Sequence, residues 1–218
     1  MCTAYGPAVV SRRPTMRAAS PRGARLGGTE GNEILTSVTG AVLVVLLIAE
    51  GATLLRLDAL ITPHMLVGMV LIPPVLVKLG STGYRFARYY AGARAYREKG
   101  APFLPLRLLA PVLVATTVVV LASGVWLMLL GRRSDPVLLV HKASFVVWGA
   151  VFAVHFLAYL PRLVRSLRAD WTTARRREVP GAGARAMLTA ASLCGGVALA
   201  LAVLSLITAW HGGHHHHD

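Results

Sequence analysis

Three histidines lie in apolar stretches, where an imidazole serves packing, proton transfer or metal ligation. His141 and His155 are 14 residues apart. On a helix, 14 residues come within about 40° of a whole number of turns and rise about 21 Å. The two rings therefore share one face, with Phe145, Trp148 and Phe152 on the same stripe between them. His64 opens another apolar stretch that runs in the same direction, at a depth matching His141. Two imidazoles from neighbouring helices at one depth are the axial set that a low-spin b-type haem requires. Gly68, one turn below His64, leaves room for a flat macrocycle. The plainer account is a bundle-facing histidine bonded to a neighbour's carbonyl or hydroxyl, with the aromatic stripe as core.

A second haem would need a partner for His155, and the position 14 after His64 is Lys78. Lysine rarely ligates haem iron. His155 is thus the sole ligand of a five-coordinate haem, a hydrogen-bonded core residue or a proton carrier. Three other ionisable residues fall in or near these stretches. Glu50, at a depth comparable to His141, would orient a ligating imidazole through its second ring nitrogen, or pair with Lys142 or Arg56. Lys78 and Lys142 lie close enough to the ends of their stretches to snorkel. The chain ends in His211, His214, His215, His216, His217 and Asp218. Such a run binds Zn²⁺, Cu²⁺ or Ni²⁺ through N and O ligands, and it is also the composition of a shortened purification tag.

The elements that carry these residues follow from composition. Of 218 residues, 55% are hydrophobic and 15% charged, and the mean hydropathy is +0.60. A water-soluble domain carries about a quarter charged residues. A helix crossing the hydrocarbon needs about 20 mostly apolar residues. Five stretches qualify: Ile34–Leu57, Pro63–Leu79, Leu106–Leu130, Val137–Leu160 and Ala186–Trp210. Few aromatics and no strand alternation disfavour a β-barrel. The expected fold is all-α, a polytopic bundle of five membrane helices. The second helix should kink at Pro73-Pro74, where two backbone donors are missing.

The sequence carries 23 Lys+Arg against 9 Asp+Glu. Eighteen of the basic residues fall in the N-terminal tail, the loop 80–107 and the loop 161–185. The positive-inside rule then places the N-terminus in the cytoplasm and the C-terminus outside, in the inner (plasma) membrane. The tail, residues 1–33, has the Arg-, Gly- and Pro-rich composition of a disordered segment. Met16, ahead of further basic residues, is an alternative start. The first loop interleaves Tyr84, Phe86, Tyr89, Tyr90 and Tyr96 with arginines, which suits anionic lipid headgroups rather than nucleic acid. Cys2 and Cys194 sit in unlike settings and make no disulfide case. No nucleotide-binding loop, nucleophile elbow or paired CxxC is present.

The His141/His155 spacing, the His64 pairing and the span count resemble the four-helix transmembrane b-type cytochromes, the haem-bearing membrane subunits of bacterial dehydrogenases and hydrogenases. The resemblance covers roughly residues 34–160. Stretches such as LGSTGYRFARYY and LLVHKASFVVWGAVFAVHFL are also similar to uncharacterised actinobacterial multi-span membrane proteins. The expected function is a membrane b-type haem protein carrying electrons near the outer face. It would hold one haem b, at most two, and pass electrons to a quinone or a redox protein. Any enzyme activity would be that of an oxidoreductase component. Whether the fifth span joins the bundle or an oligomer interface stays open. The alternatives are a small proton-coupled transporter, with Glu50, His64, His141 and His155 as its path, and a non-catalytic membrane scaffold.

Overall fold

A computed structural model describes residues 27–98, 100, 104–170 and 179–212, without the side chains of 162, 165–170, 211 and 212. Among the described residues the chain is all-helical, with no strand. The elements are α1 (Gly28–Thr53), a 3-10 turn (Leu54–Arg56), α2 (Leu57–Tyr90), α3 (Arg94–Arg97), α4 (Leu104–Leu130), α5 (Asp135–Asp170), α6 (Ala182–Ala202) and α7 (Leu204–Gly212). Four helical runs are long and apolar enough to cross a membrane: Gly28–Tyr90, Leu104–Leu130, Asp135–Pro161 and Ala182–Ala202.

The first of these runs is 63 residues long, and it doubles back on itself. Asn32 Nδ2 donates to the Ser81 carbonyl at 3.1 Å, Lys78 Nζ donates to the Thr36 carbonyl at 2.6 Å, and Glu50 meets His64. As the α1 partner advances, the α2 partner retreats, so the two helices lie antiparallel. The reversal is made at Arg56 (φ −145°, ψ 59°) and Leu60 (φ −114°, ψ 20°). Pro63 follows closely. Its ring crowds the carbonyl of Ala59 and it offers no N–H, so regular helix is hard to continue back through this turn.

Pro73-Pro74 behaves otherwise than the sequence suggests. The backbone keeps helical dihedrals through both prolines, and the break inside α2 is at Leu60. The prolines deprive the carbonyls of Met69 and Val70 of their usual donors. α6 packs against that surface. A Cβ placed on Gly196 would fall 2.5 Å from the Val70 oxygen, so glycine lets the α6 backbone seat itself on the freed carbonyl. Such close approaches favour weak Cα–H···O contacts. Met69 of α2, Met128 of α4, Ala200 of α6 and Ile207 of α7 form the buried core, with Met65, Leu66, Val70 and Val125 packed around them.

α1 with α2, and α4 with α5, make the extensive pairings, and α6 packs along α2. The two hairpins touch each other more sparingly, α1 against α5 and α2 against α4. α2 and α5 run on past their apolar stretches, to Tyr90 and Asp170, into the segments read as loops. Beyond the end of α2, Arg107 sits over the Tyr90 ring at 5.0 Å and Tyr84 meets Tyr96 edge-on. α1 starts at Gly28, inside the tail expected at 1–33; residues 1–26 lie outside the described residues, as do Met1, Cys2 and Met16. The sixth helix ends at Val203, where α7 takes over.

The α6 contact yields a test of the packing. Gly196→Val should force the helix from Val70 and cost about 1–3 kcal/mol, read as a lower thermal unfolding midpoint in detergent. Gly195→Val, whose Cβ would meet nothing within 4 Å, should leave that midpoint close to the parent's.

Candidate functional site

The turn between α1 and α2 brings Glu50, Thr53 and His64 together. His64 Nδ1 lies 3.0 Å from Glu50 Oε1 and 3.1 Å from Thr53 Oγ1. The Thr53 hydroxyl donates to the Glu50 carbonyl, which leaves its oxygen to face the ring as an acceptor. A carboxylate only accepts, so the Nδ1 proton of His64 points at Glu50. The lone pair is then on Nε2. Glu50 Oε2 is buried and has no hydrogen-bond partner among the described residues.

His141 is held the same way from a different helix. Its Nδ1 lies 3.0 Å from the Val120 carbonyl and 3.1 Å from Ser123 Oγ. Ser123 donates back to the carbonyls of Val119 and Val120. A carbonyl also only accepts, so His141 too carries its proton on Nδ1 and its lone pair on Nε2. Gly124 makes room for the ring, since a Cβ there would come within 3.1 Å of His141 Cε1. The two imidazoles face each other across the space between the hairpins. Their ring centroids are 6.4 Å apart and their planes cross at 85°. Neither Nε2 has a hydrogen bond to any described residue.

The remaining predicted residues divide between this cluster and a second one. Gly68 faces Glu50, whose Oε1 lies 3.7 Å from where a Cβ would be. Lys142 is exposed, and Glu50 pairs with neither it nor Arg56. Phe145, Trp148, Phe152 and Phe156 form a stacked ladder down α5, with centroid spacings of 6.1, 4.8 and 5.5 Å. Trp148 Nε1 donates to Thr117 Oγ1 on α4. At the far end of the ladder His155 packs on Tyr159, and its Nδ1 is buried without a hydrogen-bond partner among the described residues. The Lys78 ammonium crosses Gly40 to the Thr36 carbonyl. An apolar cleft of about 300 Å³ opens between α1 and α5, lined by Val44, Leu47, Ile48, Phe152 and Phe156.

Of the terminal histidines, His211 falls at the end of α7 without a described side chain; His214, His215, His216, His217 and Asp218 lie outside the described residues. Among the described residues no three His, Cys, Asp or Glu side chains are grouped to hold a free metal ion. Thr53, Val120, Ser123 and Gly124 are site residues that spacing did not single out. The signal for two of them was present: Ser123-Gly124 interrupts an otherwise apolar run, VVVLASGVWLMLL.

Two neighbouring imidazoles, each with its Nδ1–H engaged by its own hairpin, leave both Nε2 atoms available to ligate a metal. The chain matches no family model, and no curated protein or solved structure is similar to it.

The tautomers are directly measurable. In long-range ¹H–¹⁵N spectra of histidine-labelled protein, His64 and His141 should both appear protonated at Nδ1 and bare at Nε2. Glu50→Ala should release His64 to a mixture and leave His141 unchanged. A dominant Nε2–H form at either ring would contradict the assignment.

Proposed function

We propose that the chain is an integral membrane b-type haem protein that carries electrons near the outer face, with His64 and His141 as the axial ligands. The observation that carries this reading is the spacing and orientation of the two rings. The His64 and His141 centroids are 6.4 Å apart, close enough that both residues would hold one haem iron.

Haem, when bound, supplies a one-electron couple at its iron. The chain's own residues do the rest. Glu50 and the Val120 carbonyl hold the Nδ1 protons and fix both rings. The carboxylate on one side and the neutral carbonyl on the other make His64 the stronger donor. The Phe145–Phe156 ladder keeps an apolar lining along the adjacent face. α5 is the one long helix with no fully buried residue among those described, consistent with a face that a flat apolar group would cover.

An ion path has less support. From Ala41 to Ala49 on α1, and from Met65 to Val77 on α2, every side chain is apolar or glycine. The Glu50 level and the Gly40–Lys78 level are thus separated by about 15 Å of helix without a polar step on either. Between these levels the polar groups are on α4 and α5, where Trp148 Nε1 is already committed to Thr117 Oγ1.

The topology belongs to the same reading. The antiparallel pairing of α1 and α2 supports two crossings within residues 28–90, hence five in all, with Lys78 towards the cytoplasm and His64 towards the outside. The second haem has weaker support, since the ring neighbour of His155 is Tyr159 rather than a second histidine.

A dithionite-reduced minus oxidised spectrum of detergent-purified protein should show a sharp α-band, with one haem per chain by pyridine haemochrome. His64→Ala and His141→Ala should each abolish that band in folded protein, and His155→Ala should retain it. A flat spectrum from haem-replete cells would overturn the proposal. Separately, reporter fusions after residues 95 and 175 should read as cytoplasmic, and one after residue 133 as external. The opposite pattern would reverse the orientation and leave the haem assignment intact.

A further inference from the structure

The cluster at the other end of the ladder is not used by the haem reading. Lys78 bonds only a carbonyl, that of Thr36, and neither it nor Arg85, two turns further along α2, has a carboxylate partner among the described residues. His155 adds a buried Nδ1 without a hydrogen-bond partner among the described residues. Lys78, Arg85 and His155 therefore lie towards one end of the bundle, with no carboxylate ion-paired to Lys78 or Arg85 among the described residues. Helix geometry ties them to the apolar cleft. Lys78 crosses Gly40, and Val44, the first lining residue on α1, is one turn beyond Gly40. On α5, Phe152 and Phe156 flank His155 in sequence and line the opposite wall. From the cationic end, the cleft runs along α1 towards the middle of the apolar helices.

We propose that this cleft is a built-in site for one anionic phospholipid of the inner leaflet, its phosphate against Lys78, Arg85 and His155 and an acyl chain along Val44, Leu47, Ile48, Phe152 and Phe156. Charge complementarity selects the occupant: basic pockets between membrane helices on the cytoplasmic side attract anionic headgroups, and an apolar groove leading away from the cations suits an acyl chain. The site differs from the general attraction of the basic loops, because its cations are partly buried on α2 rather than exposed. It rests on the membrane-spanning part of the proposed function and is independent of haem.

The test compares retention of phosphatidylglycerol and of phosphatidylcholine with matched chains on the full-length, detergent-purified protein, by native mass spectrometry. The expected result is one retained lipid per chain and about a tenfold preference for phosphatidylglycerol. Lys78→Met with Arg85→Gln should abolish the preference, Lys78→Arg should keep it, and Arg85→Gln alone should weaken it. Arg94→Gln with Arg97→Gln removes the same charge from the exposed α3 and should change nothing. Equal retention of the two lipids would overturn the site. So would loss of the preference in the α3 variant with its survival in the α2 variant, or displacement by a quinone but not by phosphatidylglycerol. Parent protein prepared from haem-depleted cells should show the same preference, so a colourless preparation and an absent lipid site are separate failures.

Discussion

A carboxylate in an apolar bundle has to be hydrogen-bonded, and Glu50 has the Nδ1–H of one imidazole. A hydrogen bond to a charged group is worth about 1.5–3 kcal/mol, although here the side chains retain 16–19% exposure, which screens part of it. Because Glu50 is near the end of α1 and His64 near the start of α2, the same contact closes the turn between them. It also decides which nitrogen of His64 carries the proton. One interaction thus sets a fold element, a ring orientation and a tautomer.

His141 reaches an equivalent state by neutral means, on a carbonyl and a serine of α4. Each hairpin thereby presents a fixed ring to the other, and the hairpins themselves are only lightly packed together. Dense packing is concentrated where α6 lies along α2, with Met69, Met128, Ala200 and Ile207 as its buried centre. One flank of the bundle is thus rigid and the other presents loosely covered aromatics, while each ring is held by its own hairpin.

Depth was legible in the sequence, and azimuth largely was not. Hydropathy and the alternation of basic loops set His64 and His141 at one level, and the 14-residue spacing set His141 and His155 on one face. What spacing could not give was the rotation of α1 against α2, which chose His64 over Arg56 or Lys142 as the partner of Glu50. The location of the break in α2 was also hidden. Pro73-Pro74 is the louder signal, yet Pro63 sits at the free end of the helix, where distortion is cheap, while Pro73-Pro74 is braced by α6. The lateral packing that decides between them is a tertiary fact. Lys78 was readable as an intramembrane lysine near a span end, but its turn inward to Thr36 depends on Gly40 leaving its path open.

The two prolines have a consequence for the order in which the chain is assembled. Until α6 arrives, the carbonyls of Met69 and Val70 face either lipid or the bundle without their helical donors, and hydrocarbon offers no substitute. A chain that has formed α1 through α5 therefore still carries an uncovered polar seam along α2. Docking of Gly196 covers it. The last long helix then acts as the closing clasp of the fold, and a chain that ends before it would display that seam as the mark of an unfinished molecule.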